Sequence, residues 1–233
     1  VNNKLLTGLF LILLIFGAKS QSNKKLYELS MINSHRPDSS KICYDLVEIN
    51  HLNTNLIRKT INSEEYILVC TWKQNVSFYQ KDTIFNTGSY NIWVTTAPEL
   101  KKRIKFESPK DTNLRLLQLL GLPPTSKYSY FVEFWVRPQD LFRPCPDREI
   151  WDGNCDLCFP QDTPQDHINW INENRISRYY QCDLYNQYPW GQLGYTWDWN
   201  PDNKSHVGLS EFIITTGATI YVNKIVTTSE YLK

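Results

Sequence analysis

Tyr128-Ser129-Tyr130-Phe131-Val132-Glu133-Phe134-Trp135-Val136 is the stretch whose reading decides the class of fold. Branched and aromatic residues fill it, the types that suit a pleated, half-buried surface, and Arg137-Pro138 ends it. It reads as a strand. Working outward, Glu65–Trp72, Ser89–Thr96 and residues 41–49 carry the same signal, with Asn86-Thr87-Gly88 as turn chemistry before the second. Tyr195–Trp199 reads as a further strand. Leu209–Ile214 and Ala218–Val226 read as a hairpin across Thr215-Thr216-Gly217. Helices are expected over 112–120, capped by Asp111 or Thr112 and stopped at Gly121, and over 164–173, opened by Thr163-Pro164 with Asp166. A shorter helix is expected over 98–106. Strands outnumber helices and do not alternate with them. The expectation is an α+β fold, a mostly antiparallel sheet with two or three helices and a disulfide-stabilised loop over 143–163. It forms a single domain over 41–233, preceded by a polar, flexible lead-in over 21–40.

The N-terminal segment supplies an address. Lys4 precedes an apolar run, Leu5 to Ala18, and Ala18-Lys19-Ser20 is a small-x-small pattern. The run has the length of a signal-peptide core and is short for a membrane span of about 20 residues. Residues 1–20 therefore read as a signal peptide, and the protein as secreted or periplasmic, with no membrane span after cleavage. The formal charge of +1 becomes −1 once Lys4 and Lys19 are removed. Such a chain has no electrostatic basis for binding nucleic acid.

In an oxidising compartment six cysteines favour disulfides. Cys43 and Cys70 lie in strand-like segments, where they face each other across neighbouring strands or remain buried thiols. Cys145, Cys155, Cys158 and Cys182 crowd together, and the preferred pairing is Cys145 with Cys155 and Cys158 with Cys182. A zinc site would want a second Cys-x-x-Cys pair or spaced histidines, and a redox pair would want a helix N-terminus where Phe159-Pro160-Gln161 stands. No metal and no cofactor is expected: no histidine pair has i, i+4 spacing, and no glycine-rich phosphate loop is present. Asn75-Val76-Ser77 and Asn203-Lys204-Ser205 match the glycosylation pattern.

Two features carry candidate chemistry. Alternation places Glu133 on one face with Phe131 and Trp135, and Arg137 is the cation expected to answer it. Glu211 has the same setting between Leu209 and Ile213. If the two glutamates converge, they form the carboxylate pair of a glycoside-hydrolase-like enzyme. The second feature is aromatic: eight rings lie between Tyr179 and Trp199, interleaved with Asn, Gln and Asp. Tyr188, Trp190, Tyr195, Trp197 and Trp199 are expected to present flat faces to a sugar-like ligand.

Ser210-Glu211-Phe212-Ile213-Ile214 followed by Gly217-Ala218-Thr219-Ile220-Tyr221-Val222 resembles the last hairpin of ADP-ribosyltransferases, and the resemblance implies a catalytic role for Glu211. The run Phe131–Asp147, with Leu193–Trp199 and Val207–Phe212, resembles segments of uncharacterised exported bacterial proteins and implies no activity. The leading expectation is a non-catalytic binding domain for a carbohydrate-like or small polar ligand. The alternatives are a carboxylate-based enzyme with Glu133 and Glu211, and a structural or partner-binding envelope protein.

Overall fold

The structure is a computed structural model that describes residues 22–179 and 186–233. The expected signal peptide and Cys182 lie outside the described residues. In chain order the described elements are α1 (22–34), β1 (Arg58–Ile61), β2 (Glu64–Lys73), β3 (Ile84–Asn86), β4 (Ile92–Thr96), α2 (Ala97–Glu107), α3 (Thr112–Leu119), β5 (Tyr130–Val136), β6 (Leu141–Phe142), α4 (Gln165–Tyr179), β7 (Tyr195–Trp197), β8 (Val207–Ser210), β9 (Phe212–Ile214), β10 (Thr219–Thr227) and α5 (Thr228–Tyr231).

The architecture is α+β. Its main sheet has the order β3-β10-β5-β2-β4-β9-β6, with β1 paired to β2, and every pairing is antiparallel. The opening stretch forms β5, at the centre, flanked by β2 and β10. The expected C-terminal hairpin does not form. β9 pairs with β4 and β6, while β10 pairs with β3 and β5. The 215–218 turn docks instead on the 86–88 turn: Gly217 N–H donates to Gly88 O, and Thr87 Oγ1 bonds Thr215 O and Ala218 N. Thus the ADP-ribosyltransferase likeness, which rested on a hairpin, has no counterpart in the topology.

Its two faces separate by strand alternation. Ile67, Val69, Val132, Phe134, Phe212 and Ile220 fill one face, together with Ile49 and Ile150 from loops. On the other, Leu68, Cys70, Trp72 and Phe131 meet α1, α2 and α3. Each element follows from local chemistry. Asp111 caps α3 by accepting from Leu114 N–H, and Gly121, at φ +63°, ends the turn as expected. α2 begins with Pro98 in its first turn, where a missing N–H costs nothing. α4 runs six residues beyond the expected end at 173.

Five helices are present among the described residues, against the two or three expected. Two segments differ in kind. The lead-in is helical: α1 buries Tyr27 and Met31, and its remaining inner positions are Ser30 and Ser34, whose hydroxyls donate to Tyr27 O and Met31 O. Those serines hid the helical period. Residues 41–49 form no strand: Lys41 ends a 3-10 turn over Ser39–Lys41, and the rest is irregular chain that joins no ladder. They are held by Leu46 N–H to Gly153 O, Ile49 N–H to Ile150 O, and Val47 N–H to Ser210 Oγ.

The loop after β6 is closed by a Cys145–Cys155 disulfide, as expected. Cys43 and Cys70 are free thiols; the alternative of a buried, unpaired cysteine holds for Cys70, while Cys43 is half-buried and Cys158 is free and exposed. No helix among the described residues is long and apolar enough to cross a membrane.

Candidate ligand-binding site

The expected site residues separate into three places. Glu133 is buried on β5, at 3% exposure. Lys101 of α2 donates to its Oε1 at 2.8 Å and Asn223 of β10 to its Oε2 at 2.8 Å. The expected partner, Arg137, instead binds Asp140 at 2.7 Å and Glu64 at 3.2 Å. Its planar fork is used by neighbours closer along its own end of the sheet. Glu133 is thus part of a pair tying α2 to the sheet.

The strand register also separates Glu133 from Glu211. Glu133 lies opposite Cys70, and Cys70 opposite Thr95. One step beyond the Val94–Phe212 pair, Thr95 faces Glu211. The two glutamates share a face three strands apart, about 14 Å at the usual strand spacing. That separation is between backbones, and glutamate side chains can shorten it; Glu133 is already committed to Lys101 and Asn223.

The aromatic run turns inward. Trp190, Tyr195, Trp197 and Trp199 are at most 3% exposed, so no open platform for a sugar face exists there. Two of these rings serve the core outright. Trp199 Nε1 donates to Leu117 O and Leu122 O, and Tyr195 OH donates to Lys41 O. Asp198, between them, is fully buried and takes a bidentate ion pair from Arg115 of α3 at 2.7 and 2.9 Å. Asn203 donates from Nδ2 to Asp198 and to Val207 O, so the second glycosylation motif is committed to holding this turn.

Trp190, Trp197 and Tyr188 have a different place. They line a cavity of about 310 Å³ between the outer face of β2 and β4, the end of α3, and α4. Trp72 and Trp93 complete the indole walls. Trp93 meets Trp190 edge to face, with centroids 5.9 Å apart. The polar groups are Lys73 at the end of β2, Arg178 from the last turn of α4, Glu211, and the threonines Thr71, Thr95 and Thr196. Arg178 lies over the Trp93 ring at 4.3 Å and the Tyr188 ring at 5.2 Å. Burial pushes the Glu211 carboxyl up to about 8, and Arg178 is the charge that opposes this. Burial lowers both Lys73 and Arg178 from the ordinary range of their side chains, with Glu211 the largest opposing influence on Arg178. The Tyr128 phenol, beside Tyr188, is pushed up to about 12, first by burial.

Among the described residues seven buried side-chain nitrogens and oxygens lack a hydrogen-bond partner. Three of them belong to residues lining this cavity: Trp190 Nε1, Trp197 Nε1 and Arg178 Nε. Native structures leave few such groups, and each calls for an explanation. Cys70 also lines the cavity, but burial pushes its thiol up to about 12, which leaves it inert as a nucleophile.

Sequence reasoning found Glu211, Tyr188, Trp190 and Trp197 and missed Trp93, Lys73 and Arg178. Arg178 lies beyond the expected end of α4. Trp93 had a usable signal, since it alternates with the core residues Ile92 and Val94. Among the described residues one group could hold a metal ion. Asp147, Glu149 and Asp152, in the disulfide loop, place carboxylate oxygens within 4.8 Å of one another. Glu149 is pushed up to about 7, by burial and then by a hydrogen bond with Asp152. A shared proton accounts for that close approach.

The fold and the cavity define an antiparallel α+β domain with one indole-walled pocket on its helical side. No protein-family model, curated protein or solved structure matches the chain.

Proposed function

We propose that the protein binds a small polar ligand in this cavity, and that Trp93, Trp190, Trp197 and Tyr188 form its walls. The observation that carries the reading is that Trp190, Trp197 and Arg178, three residues lining one cavity, each hold a buried donor without a partner. A ligand with acceptor oxygens on a compact ring satisfies them while its flat faces pack on indole. The cavity volume lies in the range of small-molecule sites. This reading moves the expected carbohydrate-like ligand from a flat surface into a pocket that is partly open. The carboxylate-enzyme alternative has one acid among the described residues lining the cavity, Glu211. Export is proposed with it: the Leu5–Ala18 run and the Cys145–Cys155 bridge both suit an oxidising compartment.

The test is a ligand screen read by thermal shift and by tryptophan fluorescence, using monosaccharides, sugar acids and small aromatic acids and amides. A native-state ligand raises the melting temperature with concentration. Trp93→Ala is expected to remove that rise for any hit. Hits whose affinity is unchanged in Trp93→Ala would place binding elsewhere and refute the reading.

A further inference from the structure

The charges that line the cavity do not balance. Lys73 and Arg178 supply two cations, and Glu211 supplies one carboxyl. None of the three takes part in an ion pair within 4.0 Å among the described residues. Other charged groups on this side of the sheet are already committed. Glu133 is held by Lys101 and Asn223, and Glu99 accepts from Ser210 and Thr95. Buried cations are normally paired, because removal from water costs far more than a contact returns.

The setting of Arg178 adds to this. Its guanidinium carbon lies 4.3 Å from the Trp93 ring centroid and 5.2 Å from that of Tyr188. Rings meet a guanidinium through its charge and leave its N–H groups to in-plane acceptors, and the buried Nε has no partner. An oxyanion presents in-plane acceptors of the kind those groups take, and Lys73 adds a point charge on the same cavity. Glu211 fits this arrangement in its neutral form. A carboxyl held protonated by burial donates a hydrogen bond to an anion and adds no repulsion.

From these observations we infer that the ligand carries an oxyanion, a carboxylate or a phosphate, held by the Arg178 N–H groups and Lys73, with its ring body between the indoles. The inference rests on the proposal that the cavity binds a small ligand. It narrows the class from neutral sugars to sugar acids, sugar phosphates or small aromatic acids.

The experiment uses the full chain and two matched probe series. Methyl glucoside, glucuronate, glucose 6-phosphate and glucosamine vary the charge on a hexose. Benzamide, benzoate, phenyl phosphate and benzylamine vary it on a phenyl ring. Dissociation constants are read by tryptophan fluorescence at low salt. The expected result is that at least one anionic probe binds 30-fold or more tighter than its neutral partner. Carboxylate against phosphate preference then identifies which oxyanion the site takes. Arg178→Gln and Lys73→Gln are each expected to weaken the anion about tenfold and the neutral probe by a clearly smaller factor. Arg178→Lys retains part of the affinity, since the charge remains and the fork is lost. Lys73 lies at a strand end, so its variant keeps the test alive if Arg178→Gln fails to fold. Neutral or cationic probes binding as tightly as the anions would overturn the oxyanion inference and leave the cavity reading standing. No binding by any probe of either series would overturn both.

Discussion

Glu211 is the side chain whose titration the structure makes most consequential. Burial raises it from an ordinary 4.5 to about 8, against the opposing charge of Arg178. Between those two values the unfolded chain releases the proton that the native protein keeps. Stability from this group is therefore fully present below about pH 4.5, falls as pH rises, and levels off above about pH 8. Linkage over the window from pH 5 to pH 8 gives a loss of about 3 kcal/mol. Glu211→Gln removes the ionisation and keeps the shape. Lys73, Arg178, Tyr128 and Tyr188 also face the cavity and are present in both proteins, so subtracting the two profiles isolates Glu211. The assay is urea unfolding of wild type and Glu211→Gln at pH 5, 6, 7 and 8. The variant's lead over wild type is expected to grow by about 3 kcal/mol from pH 5 to pH 8. Parallel profiles would refute the reasoning, and so would a wild type that gains on the variant toward pH 8, which would mean that the Arg178 charge outweighs burial.

Other perturbations test the frame around the cavity. Asp198→Ala removes one of the two carboxylates on Arg115, which keeps its ion pair with Glu107, and is expected to cost about 1–3 kcal/mol in urea unfolding. Replacing Arg115 and Asp198 together by apolar residues, Arg115→Met with Asp198→Leu, should recover much of that loss. Gly208→Ala puts a Cβ 2.2 Å from Thr196 Oγ1 and 2.4 Å from Thr196 O, so β8 must move off β7. A loss of about 1–3 kcal/mol or more is expected from such overpacking, read as a lower melting temperature. Cys145→Ser with Cys155→Ser opens a loop of sequence separation 10, which the chain-entropy relation values at about 2.7 kcal/mol. Wild type unfolded in reducing agent should show the same drop, and an unchanged midpoint would refute it.

The fold was legible where the signal was local. Residues 112–120 and 128–136 carry their own caps and periods, and both formed within two residues of expectation. The Cys145–Cys155 bridge was legible from crowding alone. What failed was pairing at a distance. Leu209–Ile214 and Ala218–Val226 look like one hairpin because the turn between them has hairpin chemistry. Only Thr87 and Gly88, some 130 residues earlier, show that the turn belongs to another contact. Residues 41–49 failed for a related reason, since their partners are the Gly153 and Ile150 carbonyls of the disulfide loop. α1 was hidden because two of its inner positions are serines.

The aromatic run from Tyr179 to Trp199 was legible as a concentration and misread in direction. Burial does not sort these rings, because Trp190, Tyr195, Trp197 and Trp199 are all nearly inaccessible. Hydrogen bonding does. Tyr179, Tyr195 and Trp199 spend their polar atoms on backbone carbonyls of Trp190, Lys41, Leu117 and Leu122. Each therefore fixes a loop to the core, and its chemistry is complete without a ligand. Trp190 and Trp197 are equally buried and keep their indole N–H groups unpaired beside a cavity. An indole placed only for packing could be replaced by phenylalanine without leaving a buried donor unsatisfied, which costs roughly 1–3 kcal/mol. Two such costs on residues of one cavity wall, beside the unpaired Nε of Arg178, favour the cavity over the exposed surface of the run as the site of the proposed ligand.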